Sequence, residues 1–179
     1  MMIKQLLILT ITISAAIAGY AQGKSGNIQD VSGYTQEKKW NIAGGGGFAM
    51  PINLAKEFCN AGSNAFANAT YNVSQTFSAG CEVNYTYLTS KTTAEHKTAN
   101  TDFFALMAKG VYTYRKAFLS PYFALNFGWY KAQEDPGEFG YAGEVGVLYS
   151  RLNFGVGYHI ATSRGFEYLQ INIGYRITF

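Results

Sequence analysis

Five ionisable side chains stand out by position: Glu82, Lys109, Glu144, His159 and Arg176 each occupy the small or polar side of a stretch whose other side is apolar. Gathered in one narrow space, two carboxylates, two cations and an imidazole would satisfy one another. Any one of them alone would be expensive to hold away from water. Glu82 and Lys109 lie on neighbouring stretches at similar depth, so the spacing pairs them first. Such a set suits either a static plug of ion pairs or a gate whose pairs exchange.

Other chemistry finds less support. Gly44 to Gly47 is followed by neither Gly-Lys-Ser/Thr nor a helix start, so a phosphate loop is not expected there. His96 shares a polar run with Ser90 and Glu95, but the spacing suits a solvated loop rather than a nucleophilic triad. Cys59 and Cys81 match no zinc or redox spacing. Cys59 is expected in a loop and Cys81 in mid-strand as a small hydrophobe, the two unpaired. No residue set points to a metal or a cofactor.

The stretches that carry the charges alternate with a period of two. From Glu167 to Phe179 the odd positions Leu169, Ile171, Ile173, Tyr175, Ile177 and Phe179 are apolar. The even positions Gln170, Asn172, Gly174, Arg176 and Thr178 are small, polar or charged. A β-strand sends alternate side chains to opposite faces, so this strand has one apolar and one polar face. As a helix, the same apolar residues would spread around the whole circumference. The pattern predicts seven earlier strands, over about 38–52, 61–71, 76–89, 101–114, 121–130, 139–149 and 153–161. Pro121 is expected to open its strand, where a missing N–H is tolerated. Connections at 72–75, 115–119 and 150–152 are short, whereas those at 52–60, 90–100, 131–138 and 162–166 are mostly longer and more charged.

Composition agrees with sheets that meet lipid. Charged residues make up 14% of the 179, well below about 25% in ordinary globular chains, while aromatics reach 16% and Gly numbers 20. Mean hydropathy is near zero, because a membrane barrel hides its apolar residues in alternation. The first residues read as a targeting segment: Lys4, an apolar core from Leu6 to Ile17, then Gly19-Tyr20-Ala21 as the favoured small-residue cleavage site, with Ala16-Ile17-Ala18 as a second. Residues 1–21 are thus an expected signal peptide, 22–37 a flexible periplasmic leader and 38–179 the folded domain. Removing 1–21 takes away Lys4 alone, leaving 13 of the 14 basic residues against 11 acidic, a net charge of +2. That balance gives no reason to expect a nucleic-acid partner.

The last eight residues carry a more specific likeness. Outer-membrane β-barrels of Gram-negative bacteria commonly end in a pattern of polar, any, Gly, any, any, apolar, any, apolar, and Asn172, Gly174, Ile177 and Phe179 fill its four defined places. The whole expected domain resembles the small eight-stranded barrels of the OmpA/OmpX type, and the outer-membrane β-barrel domains common in Bacteroidetes. The resemblance implies an all-β, eight-stranded, antiparallel up-and-down transmembrane barrel in the outer membrane. It also implies lipid around the barrel, a C-terminal strand read by the barrel-assembly machinery, and a monomer. Some barrels of this kind are lipid A deacylases whose serine is activated by a histidine two residues earlier. Two residues after His159 stands Ala161, so that chemistry is not implied.

Three functions remain in view. A structural or loop-presenting barrel is preferred, a narrow pore with a charged lumen comes second, and a soluble lipocalin-like lipid carrier third. The carrier needs apolar residues inside and polar ones outside, which the apolar face of the last strand opposes. The loops, where function on such a scaffold would lie, carry no assignable motif.

Overall fold

Alternating side chains become two faces once strands pair, and in the computed structural model of this protein they pair all the way round. The structure describes residues 40–93, 96–97, 101–114, 119–132, 137–162 and 166–179. Among these, eight long strands form the barrel: β1 (Trp40–Ile52), β2 (Cys59–Asn72), β3 (Phe77–Ser90), β4 (Thr101–Thr113), β5 (Leu119–Ala132), β6 (Glu138–Tyr149), β7 (Leu152–Ala161) and β8 (Phe166–Thr178). Each is antiparallel to its sequence neighbours, and β8 pairs with β1 to close the ring. The expected signal peptide and leader lie outside the described residues.

The closing ladder runs from Asn41 opposite Thr178 to Ile52 opposite Glu167. Its end is clasped where Phe179 N donates to Trp40 O at 2.9 Å and Trp40 N donates to Phe179 O at 3.3 Å. Closure removes the open edges that a lone sheet would expose. Glycine shapes this seam. A Cβ on inward-facing Gly45 or Gly47 would strike the backbone carbonyl of Ile173 or Ile171 on β8, so the two strands approach closely there.

The strand ends fall within two residues of those read from alternation. Two details differ. Cys59 opens β2 and points inward instead of lying in a loop, with an irregular register between it and Gly62. Pro121 is the third residue of β5, not the first. Its carbonyl accepts from Tyr114 N at 2.9 Å, just past the end of β4, so the missing N–H falls where that ladder has finished.

The ends of the barrel are unlike. At the short-turn end, Ser74 Oγ accepts from Phe77 N at 3.0 Å and Thr76 N at 3.3 Å, fixing the β2–β3 turn. Ser150 takes φ 55° in the tight β6–β7 turn. The loop end holds a single helical turn, α1 (Ala55–Phe58), and a small ladder between Thr92–Thr93 and His96–Lys97.

Outward positions form an exposed apolar belt that includes Ile42, Leu106, Leu125, Phe127, Phe154 and Ile173. Aromatics rim it at the turn end (Trp40, Tyr112, Tyr149, Tyr175) and at the loop end (Tyr85, Trp129, Phe139, Tyr141). Trp40 meets Tyr71 edge to face at 5.3 Å. Such girdles suit the two interfaces of a bilayer. An arginine in the middle of the belt must therefore be costly. Leu125→Arg is expected to destabilise the barrel by about 2–4 kcal/mol, and Leu119→Arg at the turn rim by about 0–1 kcal/mol. Denaturant unfolding in lipid vesicles measures both, and equal losses would contradict a membrane-spanning belt.

Candidate functional site

The core of this molecule is the lumen, and its middle is charged. Lys109 on β4 donates from Nζ to Glu82 Oε2 of neighbouring β3 at 2.6 Å. The same ammonium reaches past β5 to Glu144 Oε2 of β6 at 2.8 Å. Two carboxylates to one ammonium leave an excess of acid, and neutral donors help to hold it. Tyr122 OH donates to Glu144 Oε1 at 2.5 Å, and Asn68 Nδ2 donates to Glu82 Oε2 at 3.2 Å. Space for this comes from Gly155 on β7, where a Cβ would run into Glu144 Oε1 and Tyr122 OH.

The five expected charges therefore divide. Glu82, Lys109 and Glu144 form one triad. Arg176 lies nearer the turn end, lining a cavity of about 50 Å³ with Asn41, Thr70, Ser78, Asn153 and the Lys109 side chain. His159 lies toward the loop end, with its ring stacked on Tyr168 (4.8 Å between centroids, 8° between planes). Its Nδ1 is 3.0 Å from Tyr130 OH. It points into the barrel, away from the lipid face.

Above the triad, toward the loops, comes a layer of amides. Asn84 on β3 and Gln170 on β8 exchange hydrogen bonds across the lumen, both at 3.1 Å, and Gln170 Nε2 also donates to Thr86 Oγ1 at 2.8 Å. Asn64 Nδ2 donates to Asn172 Oδ1 at 2.6 Å directly over Gly47, the β1 residue paired with both. Of the end-pattern residues, Asn172 is thus tied into the lumen and Gly174 lies beneath the Phe66 ring, while Ile177 and Phe179 face outward.

Higher still, the lumen is apolar, which alternation had suggested would be polar. Phe103 on β4 meets Phe166 on the opposite wall with 4.4 Å between ring centroids, and Tyr168, Tyr130, Met107, Ala105 and Ala161 pack beside them. Ala49, Cys59 and Leu88 complete the layer from β1, β2 and β3. Gly140 on β6 leaves the space the Tyr130 ring occupies. The signal was present: Tyr130 shares the inward register of Asn126 and Gly128, and Tyr168 that of Gln170 and Asn172. Cys59 inside and Cys81 on the outer face are both free thiols. Among the described residues no group of His, Cys, Asp and Glu is placed to hold a metal ion.

Neisserial surface protein A superposes with a TM-score of 0.62 at 14% identity, over 78% of this chain and 97% of that one. OprG from Pseudomonas aeruginosa gives 0.56 at 13% identity, over 78% and 97%. The attachment invasion locus protein Ail of Yersinia pestis, in complex with the heparin analogue sucrose octasulfate, gives 0.52 at 14% identity, over 79% and 100%. No protein-family model and no curated protein sequence matches the chain. The chain has the fold of the small eight-stranded outer-membrane β-barrels.

The triad makes a direct energetic test. Lys109→Met would strand two buried carboxylates and is expected to cost about 3–5 kcal/mol. The triple change Lys109→Met, Glu82→Gln, Glu144→Gln is expected to restore most of that loss, because no charge is left unpaired. Equilibrium unfolding of the three proteins checks the pair; a triple variant no better than the single one would deny the coupling.

Proposed function

We propose that this chain is an integral outer-membrane barrel that is closed to solutes and acts through the connections at its loop end, in a structural or partner-binding role. One observation carries the reading: apolar side chains drawn from both walls fill the loop half of the lumen, with Tyr168 and Ala161 wholly shielded from solvent. An eight-stranded barrel is only wide enough for its side chains to fill, so such a layer leaves no continuous water path. The apolar belt and its two aromatic rims support residence in a bilayer. Residues 1–21 would direct export and be removed, and the β8 end pattern would present the chain to the barrel-assembly machinery. The functional unit is a monomer surrounded by outer-membrane lipid. The role is non-enzymatic: His159 is stacked inside the lumen and is followed two residues on by Ala161.

A narrow pore is the second reading, favoured by the charged, partly open turn half of the same lumen. Two measurements decide. Fractionation of expressing cells should recover the protein with outer membranes, and recovery as soluble periplasmic protein would overturn both readings. Folded protein in a planar bilayer should be electrically silent, and steady ohmic openings would promote the pore.

A further inference from the structure

The two halves of the lumen are filled differently: a cavity opens on the turn side of the charges, and packed aromatic side chains close the loop side. At the turn end, inward-facing Asn153 and Ser78 keep 9% and 8% of their surface exposed, and the triad residue Lys109 keeps 6%. Past the triad Thr86, Gln170 and Tyr168 are at 0% and Tyr130 and Met107 at 1%, although Asn172 and Asn64 of the amide layer keep 9% and 6% and Phe103 keeps 5%. Lys109 itself lines the cavity that Arg176 and Asn41 share near the turn end.

From this we infer that the lumen is a one-ended hydrated cup. Water and small ions enter from the short-turn side as far as Glu82, Lys109 and Glu144, and the permeability barrier is the aromatic layer above them. The inference rests on the membrane-spanning reading proposed above and adds where the barrel is sealed and which side reaches the charges. Two physical arguments support it. The triad is polar and bonded by short charge-assisted hydrogen bonds, so adjoining water is stabilised there. The layer from Phe103 and Phe166 through Tyr168 to Tyr130 is a packed apolar constriction, and such constrictions exclude water and ions by dewetting. In that layer the polar atoms of His159 and Tyr130 are turned on one another, with Tyr130 OH also 3.1 Å from Met107 Sδ.

Thiol accessibility tests this. In a Cys59→Ala, Cys81→Ala background, single cysteines replace Ser78, Asn153 or Thr86 in protein reconstituted in lipid vesicles. Sidedness is scored by Val73→Cys at the turn rim and Thr162→Cys at the loop rim. A small charged methanethiosulfonate reagent should modify Ser78→Cys and Asn153→Cys from the turn side only, and Thr86→Cys from either side at least an order of magnitude more slowly. Adding Phe103→Ala with Tyr130→Ala should make the cup cysteines reactive from the loop side and produce steady conductance, whereas Lys109→Met should stay silent. Modification of the cup cysteines from the loop side with the layer intact would overturn the inference. So would an opened-layer variant that keeps its heat-modifiable, folded migration yet remains one-sided and silent. If the chain does not span the bilayer, neither rim cysteine is protected from either side. That outcome is separable from a misplaced barrier.

Discussion

The constraint on which the rest depends is that a strand inside hydrocarbon has no water to satisfy its backbone N–H and C=O groups. Every such group must find a partner within the sheet, and an open sheet always leaves two edges unbonded. The β1–β8 ladder answers that requirement, down to the reciprocal bonds between Trp40 and Phe179. Once the ring is closed, alternation leaves no freedom about which side chains meet lipid and which meet each other. The low charge of the chain, its wealth of Tyr and Phe and its glycine-rich first strand all follow from living on such a closed surface.

Inside, the small radius turns packing into a matter of turns taken between neighbours. At three places where a large side chain fills the lumen, a glycine on another strand yields the volume. Tyr130 lies against Gly140, Tyr122 against Gly146, and Phe66 over Gly174. The Asn64–Asn172 bond passes above Gly47 in the same way. Small and large inward residues in alternation are what a narrow barrel needs to fill a fixed cross-section without voids. The result is three stacked regimes along one axis: ionic beside a small cavity, then amide-lined, then apolar.

The strands were legible from sequence because a period of two is a strong local signal, and all eight appeared within two residues of their ends. Glu82 and Lys109 were pairable by the same reasoning, since neighbouring strands of similar length put equal depths side by side. What crosses the lumen was not legible. Lys109 reaching Glu144, Asn84 meeting Gln170 and Phe103 touching Phe166 depend on strand tilt and stagger, which no single strand encodes. The apolar layer escapes the alternation rule for another reason: inward register fixes a side chain's direction and not its polarity, and a narrow lumen packs apolar residues as a protein core does. Cys59 is hard to place from sequence because the Ala- and Asn-rich β2 carries the weakest alternation of the eight.

Among the eight barrel strands every ladder but one joins neighbours in chain order, and the exception is the seam itself. Thr178 Oγ1 donates to Asn41 Oδ1 across 137 positions of chain. Hairpins can zip one after another at small entropic expense, whereas the two outermost strands, far apart in sequence, can pair only when the whole sheet curves round on itself. Assembly is therefore expected to be local and quick until its last step, then limited by a single long-range encounter. Until that encounter, β1 and β8 present unbonded edges, so the nascent barrel is most vulnerable to mispairing along the same seam that later makes it closed.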